Sequence, residues 1–383
     1  MGPSYFLTPK IYIATDTENQ IKNYLEKKEY KYPALIYDHA LSTHELVLGI
    51  IKNLTSDKWE LNELVIKEAE PGYDYLEKIR TMIPQNTDII ITLGGGSTLD
   101  CAKAVSLLLV NHEKAIKYRG FNLAPIKGAP IIAIPSTAGT GSEITPYAVF
   151  TDKESGRKLG INSDLYVPEL VFLDPRLIQT APMRVKISSG LDALNHIVES
   201  FAAKNANEIT KMLAEICFEK MFFALSQMKT VSLLDNTLQL QIASMLGTSA
   251  FMNSGGGPGT ALSYPLGVNH NVPHGIASGF FLPRFVRKNI ELNYEGYSIL
   301  NDRLIYLSKN TRLPFRIHND FSENLFRLCK YLDLPSKIKN YGVNDADYDE
   351  LAMQTEEFMA PQLKQNPIQY TRNHLIEIIK MEY

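Results

Sequence analysis

The first half of the chain alternates short apolar runs with longer amphipathic segments. "PALIYDHAL" carries an apolar run that ends at an acid. "TDIIITLGGGSTLDCAKAVSLLLV" reads as a strand, a glycine turn and a long helix. "APIIAIPST" and "PELVFLDP" are further apolar runs, the second bounded by prolines. Strand signals alternating with helix signals predict a parallel sheet with helices on its faces. After about Pro182 the pattern changes. Strand signals nearly vanish, and "EITKMLAEICFEKMFFALSQM", "NTLQLQIASMLGTSAFM", "IASGFFLPRFVRKN", "SENLFRLCKYL" and "NHLIEIIKMEY" repeat apolar residues at helical spacing. The pattern predicts an α/β domain over residues 1–182 and an all-α domain over 183–383.

Composition adds exclusions. The chain has 383 residues, 45% hydrophobic and 21% charged, which suits two globular domains with real cores. Net charge is -3 and no basic block occurs, so neither nucleic acid nor an acidic membrane is an expected partner. Cys101, Cys217 and Cys329 are scattered without metal-type spacing, which fits a reducing cytoplasm. The start "MGPSYFLTPKIYIA" has no long apolar core and no basic flank, so no signal peptide is expected. No apolar run reaches membrane-spanning length.

Candidate chemistry begins at the glycine turn. Gly94, Gly95, Gly96 and Ser97 follow a strand and open a helix. Glycines admit positive φ and close approach of a ligand, and helix-start N–H groups suit a pyrophosphate. Ser97 can cap the helix or contact phosphate. The pattern is not GxGxxG, so an ordinary Rossmann fingerprint is absent. A second loop, "IPSTAGTGSEITPYAV", offers Ser136, Thr137, Thr140 and Ser142 to phosphate, ribose or a nicotinamide amide. Asp38 ends a strand. It either accepts from a ribose hydroxyl, favouring NAD over NADP, or simply begins a turn.

Asp192 and His196 stand four residues apart in "GLDALNHIVES", on one face of an apolar helix. They form either a structural hydrogen bond or two ligands of a cation. "NVPHGIASGFFLP" puts His274 in the first turn of a later helix, after a proline and beside Gly275. It is a third ligand or an ordinary helix-start histidine.

Together, "GGGSTLDCAKAVS", "IPSTAGTGSE", "GLDALNHIVESF" and "VPHGIASGFFLP" resemble the iron-containing, or group III, alcohol dehydrogenases of the dehydroquinate synthase-like fold. The resemblance covers nearly the whole chain. It implies an NAD(P)-binding domain, a helical domain holding a divalent metal such as Fe2+ or Zn2+, and a homodimer. By position it implies that Gly95, Gly96, Ser97, Thr137 and Thr140 contact the dinucleotide and that Asp100 supports that region. It places Lys158 near the nicotinamide, and Asp192, His196 and His274 on the metal. One departure stands out: Thr260 occupies the position of the family's fourth metal-binding histidine, and Tyr264 that of a second histidine near the substrate. A threonine hydroxyl is a poor ligand for iron or zinc. Three outcomes follow: His270, expected on the loop before the last ligand, substitutes as a ligand; three protein ligands plus water or substrate suffice; or metal binding is weak and the protein has diverged. His270 or Tyr264 is a candidate proton relay. The implied reaction is hydride transfer between a nicotinamide and a small alcohol, aldehyde or ketone. The rivals are reduction of a sugar- or phosphonate-type aldehyde with altered metal, a dehydroquinate synthase-like cyclisation or elimination, and dinucleotide binding without catalysis.

Overall fold

The computed structural model of the protein describes residues 5–6, 9–55, 58–152, 157–230 and 234–382. The chain forms two compact units. One comprises Thr8–Thr137 and Gly141–Ala181; the other comprises Met1–Leu7, Ala138–Thr140 and Pro182–Tyr383.

In the α/β unit the elements follow in order: β1 (Lys10–Ile13), α1 (Thr17–Lys28), β2 (Pro33–Asp38), α2 (Glu45–Leu54), β3 (Asn62–Ile66), α3 (Tyr73–Arg80), β4 (Ile89–Gly94) and α4 (Gly96–Leu108). There follow β5 (Gly120–Phe121), β6 (Ile131–Pro135), β7 (Val149–Asp152), β8 (Arg157–Asn162), β9 (Leu170–Leu173) and α5 (Pro175–Thr180). Six strands build a parallel sheet in the order β1-β9-β6-β4-β2-β3. Alternate side chains enter opposite cores, as the period of two requires. Ala34 and Ile36 join one cluster, and Leu35 and Tyr37 the other. Both faces are therefore buried, which is why the strands read as continuous apolar runs. The small strands β5, β8 and β7 form a separate three-stranded sheet.

The register sets the functional edge. Leu93 pairs with Tyr37 on one side and with Ile134 on the other, and Gly94 pairs with Pro135. The C-terminal ends of β2, β4 and β6 thus lie side by side, so the loops holding Asp38, the glycine turn and Ser136 leave one edge together. In open parallel sheets that is the edge where ligands bind.

The second unit is helical: α6 (Met183–Ala202), α7 (Glu208–Ser226), α8 (Leu234–Ser254), α9 (Pro258–His270), α10 (His274–Glu291), α11 (Ser298–Asn310), α12 (Phe321–Tyr331), α13 (Tyr348–Phe358), α14 (Ala360–Gln365) and α15 (Arg372–Lys380). It holds no strand among its described residues. Residues 190–202 of α6 are buried on every side, against α7, α8 and α10. A helix enclosed in this way must satisfy each of its polar side chains from a neighbouring element. Among the described residues no helix is long and apolar enough to cross a membrane.

Candidate active site

The glycine turn departs from its expected geometry in one respect. None of Gly94, Gly95 and Gly96 takes a positive φ; the left-handed glycine nearby is Gly141, at φ 61°. Space is what glycine supplies here: a Cβ on Gly94 would stand 2.5 Å from the Thr98 side chain. Gly95 is the N-cap of α4, with no side-chain cap. Ser97 is therefore not the cap, and its hydroxyl donates to the Ala69 carbonyl at 2.7 Å. The backbone N–H of Ser136 donates to the Gly94 carbonyl at 2.9 Å, which ties the two candidate loops together. Thr137 lies against Gly95, its methyl 3.4 Å from where a Cβ would sit. Asp38 starts a turn, accepting from the Ala40 N–H at 2.8 Å through Oδ1. Lys158, on β8, pairs with Glu70 at 2.6 Å.

Asp100 organises the second loop. Its Oδ1 accepts from the Ser142 hydroxyl at 2.5 Å and its Oδ2 from the Val149 N–H at 2.9 Å. Thr140 belongs to the stretch that groups with the helical unit.

In that helical unit, α6 carries Asp192 and His196 one turn apart. Helix α10 begins at His274, with Pro273 as its N-cap. Gly275 lets α10 approach α6: a Cβ there would stand 1.9 Å from the Ser188 carbonyl oxygen. Three ligand atoms, one each from Asp192, His196 and His274, consequently lie within 4.8 Å of one another. The His196 and His274 Nε2 atoms stand 3.7 and 3.6 Å from Asp192 Oδ1. These gaps exceed a hydrogen bond. Two donors each about 2.1 Å from a shared ion are separated by roughly 3.0–3.4 Å. A carboxylate and two imidazoles converging at this spacing fit a divalent cation better than they fit one another. The Ser278 hydroxyl, one turn along α10, donates to Asp192 Oδ1 at 3.3 Å and fixes the carboxylate.

Residues 8–175 match the family model "Iron-containing alcohol dehydrogenase", and residues 186–383 match "Fe-containing alcohol dehydrogenase family, C-terminal". The chain belongs to the iron-containing alcohol dehydrogenase family. It is an oxidoreductase acting on CH–OH groups. It is 30% identical to the sulfoacetaldehyde reductase of Bilophila wadsworthia, over 96% of this chain and 95% of that protein. It is 24% identical to alcohol dehydrogenase 4 of Saccharomyces cerevisiae, over 99% and 98%. The crystal structure of sulfoacetaldehyde reductase from Bifidobacterium kashiwanohense in complex with NAD+ has the same fold, with a TM-score of 0.87, 22% identity and 99% and 98% coverage.

Position 260, where the resemblance implies a histidine, is occupied in a definite way. Thr260 lies in the first turn of α9, and its N–H and hydroxyl donate to the Glu199 carboxylate at 2.8 and 2.6 Å. The Asn195 amide donates to the Thr260 hydroxyl at 3.2 Å. Thr260 is thus committed to Glu199 and Asn195, and Glu199 caps α9. Burial raises the Glu199 carboxyl above its ordinary pKa, against those hydrogen bonds. The Tyr264 ring packs edge-on against Phe358 at 6.4 Å. His270 is the last residue of α9, not a loop residue, and it is not among the three gathered ligands. It faces a cavity of about 480 Å3 whose wall includes Arg184, Asn271, Pro273 and Tyr341.

Three residues escaped the sequence reading. Lys103, fully buried, donates to the carbonyls of Ser142 at 2.9 Å and Thr145 at 3.4 Å and to that of Tyr147, and pairs with Asp100 at 3.3 Å. Its signal was a lone lysine in "DCAKAVS", three residues after an acid. Burial lowers the Lys103 pKa and raises that of Glu143 to about 7. Glu199 was legible only as an acid one turn beyond His196.

Proposed function

We propose that the protein interconverts a small alcohol and its aldehyde or ketone with NAD(H), assisted by a divalent cation held by Asp192, His196 and His274. The observation that carries this reading is the convergence of those three side chains in a chain of this family. Bound there, Fe2+ or Zn2+ supplies Lewis-acid polarisation of the substrate oxygen, while the nicotinamide gives or takes the hydride.

The chain's own residues do the rest. Three protein donors leave a coordination position for substrate, as catalytic sites require. Ser278 and the packing of α10 on α6 hold Asp192 and His274 in place. Gly94, Gly95, Gly96, Ser97, Ser136, Thr137, Thr140 and Ser142 contact the dinucleotide in this reading, with Asp100 bracing the second loop and Lys158 near the nicotinamide. Asp38 Oδ2 accepts from a ribose hydroxyl, which favours NAD over NADP. His270, in the cavity wall, passes the alcohol proton toward solvent, whereas Tyr264 packs. The working state is a cytoplasmic homodimer without nucleic-acid or membrane partners.

A second reading concerns substrate. Arg184 and His270 share one cavity, and a 30% identical relative is a sulfoacetaldehyde reductase. Both favour an aldehyde with an anionic tail.

The test replaces Asp192 or His196 with Ala in protein purified without chelator. Elemental analysis and NADH formation from short alcohols are measured. Each variant is expected to lose bound metal and at least a hundredfold in rate. Wild-type metal content and rate in both variants would reject the reading.

A further inference from the structure

One set of buried polar atoms has no role in the chemistry above. Ser200 on α6 and Ser244 and Thr248 on α8 are almost completely enclosed, at 0%, 2% and 2% exposure. Their hydroxyls have no hydrogen-bond partner among the described residues, and neither has Nδ1 of His196.

Helical spacing places the residues that carry these atoms along the contact of α6 with α8. Helices α6 and α8 pack closely: a Cβ on Gly247 would stand 2.4 Å from the Ile197 side chain. Phe251 of α8 lays its ring on the His196 imidazole, with centroids 4.3 Å apart. Thr248 and Ser244 stand three and seven residues before Phe251, so they share the flank of α8 that bears this ring. Ser200 stands one turn beyond His196 on the same flank of α6. The buried Gln241 and Thr237 continue the polar line along α8 at helical spacing. A polar stripe therefore runs beside His196, inside an otherwise apolar bundle.

Buried hydroxyls without partners are costly, and an isolated one is rare. Several facing one seam are the usual lining of ordered water, each molecule making about three hydrogen bonds. A ligating histidine also ordinarily donates from its second nitrogen, which fixes the ring and its tautomer. Nδ1 of His196 is the nitrogen turned away from Asp192, since Nε2 is the atom 3.7 Å from Oδ1.

We propose that the α6–α8 seam is a water-binding site in which Ser200, Ser244 and Thr248 hold ordered water against His196 Nδ1. The three hydroxyls are positioning residues: they act through water on the imidazole and so on the cation that it binds. The role for the cation rests on the metal reading above; the water site itself does not.

The experiment uses the full chain freed of metal and titrated with Co2+, whose visible d–d bands report its coordination. Thr248→Val removes the hydroxyl and keeps the shape, Thr248→Ser restores it, and His196→Ala is the control. With hydrated hydroxyls, T248V lowers the thermal midpoint, weakens Co2+ binding about tenfold and alters the visible bands, while T248S behaves as wild type. A hydroxyl that is merely orphaned gives the opposite sign: T248V raises the midpoint and leaves Co2+ binding unchanged. That result, with H196A unable to bind Co2+, overturns this proposal and leaves the metal site standing. Should H196A bind Co2+ like wild type, the metal reading falls, and with it the role of the seam in orienting a ligand. An S200A/T248V double variant and a crystal structure of the wild type complete the test. Ordered water within hydrogen-bond distance of His196 Nδ1 supports the site, and electron density showing those hydroxyls bonded only to carbonyls one helical turn back overturns it.

Discussion

Glu143 offers a sharp test of how the 136–147 loop is built. It sits in a short turn, Ser142–Ile144, after the left-handed Gly141, and is only 3% exposed. Burial is the main cause that lifts its carboxyl from an ordinary 4.5 to about 7, opposed by its own backbone N–H and by Lys103. A folded-state value above the unfolded one means that the fold prefers the protonated acid. That preference is fully present below pH 4.5 and is lost as pH rises through 7. Each pH unit of the interval is worth about 1.4 kcal/mol, so the whole interval is worth roughly 3 kcal/mol. Glu143→Gln keeps the shape and removes the ionisation. It is expected to change stability little at pH 5 and to stabilise by about 2–3 kcal/mol at pH 8. Trp59, the single tryptophan, is buried in the same α/β unit and reports its unfolding in urea by fluorescence. An E143Q effect of equal size at pH 5 and pH 8 would show that the burial argument is wrong.

Two further substitutions probe one support in each unit. Lys103→Met strips a buried ammonium from Asp100 and from three carbonyls of the 142–147 loop; a loss of about 3–5 kcal/mol in urea, read at Trp59, is expected, and a loss under about 1 kcal/mol would contradict it. Gly275→Ala sets a methyl 1.9 Å from the Ser188 carbonyl oxygen, so α10 must shift from α6; a cost of at least about 1–3 kcal/mol is expected in thermal unfolding, together with weakened Co2+ binding, and unchanged Co2+ binding would refute the link between that contact and His274.

The parallel sheet was readable because its strands are buried on both faces while α1, α2 and α3 each keep an exposed face, so the period of the apolar pattern changes at those boundaries. The candidate metal ligands were readable for a related reason. Asp192 and His196 are neighbours on one helix, and a spacing of four fixes their common face whatever surrounds them. His274 needed the resemblance, because its meeting with α6 depends on Gly275 and on the path of another helix. His270 shows the limit of that reasoning. A polar "VNHN" stretch suggested a loop, yet helix α9 runs through it, and Asn271 closes the helix in the left-handed conformation at φ 53°. Asparagine tolerates that conformation, so the same letters that suggest a loop also suit a helix end.

The glycine turn teaches the converse. Its letters admit positive φ, but none of the three glycines uses it, and Gly94 answers to the bulk of Thr98. Local sequence reports how a residue relates to its own element; which side chain presses on it from elsewhere is a tertiary fact. The second half of α6 sharpens this point. With the helix enclosed on all sides, each polar letter from Asp192 to Ser200 requires a partner on another element. The sequence therefore declares that such partners exist without naming them. Ser278 meets Asp192 and Thr260 meets Glu199. Of the demands left, from Asn195 Oδ1, His196 Nδ1 and Ser200, the last two fall on the seam with α8, which is why that seam, rather than the more exposed cavity beside His270, is the place to look for unrecognised support of the site.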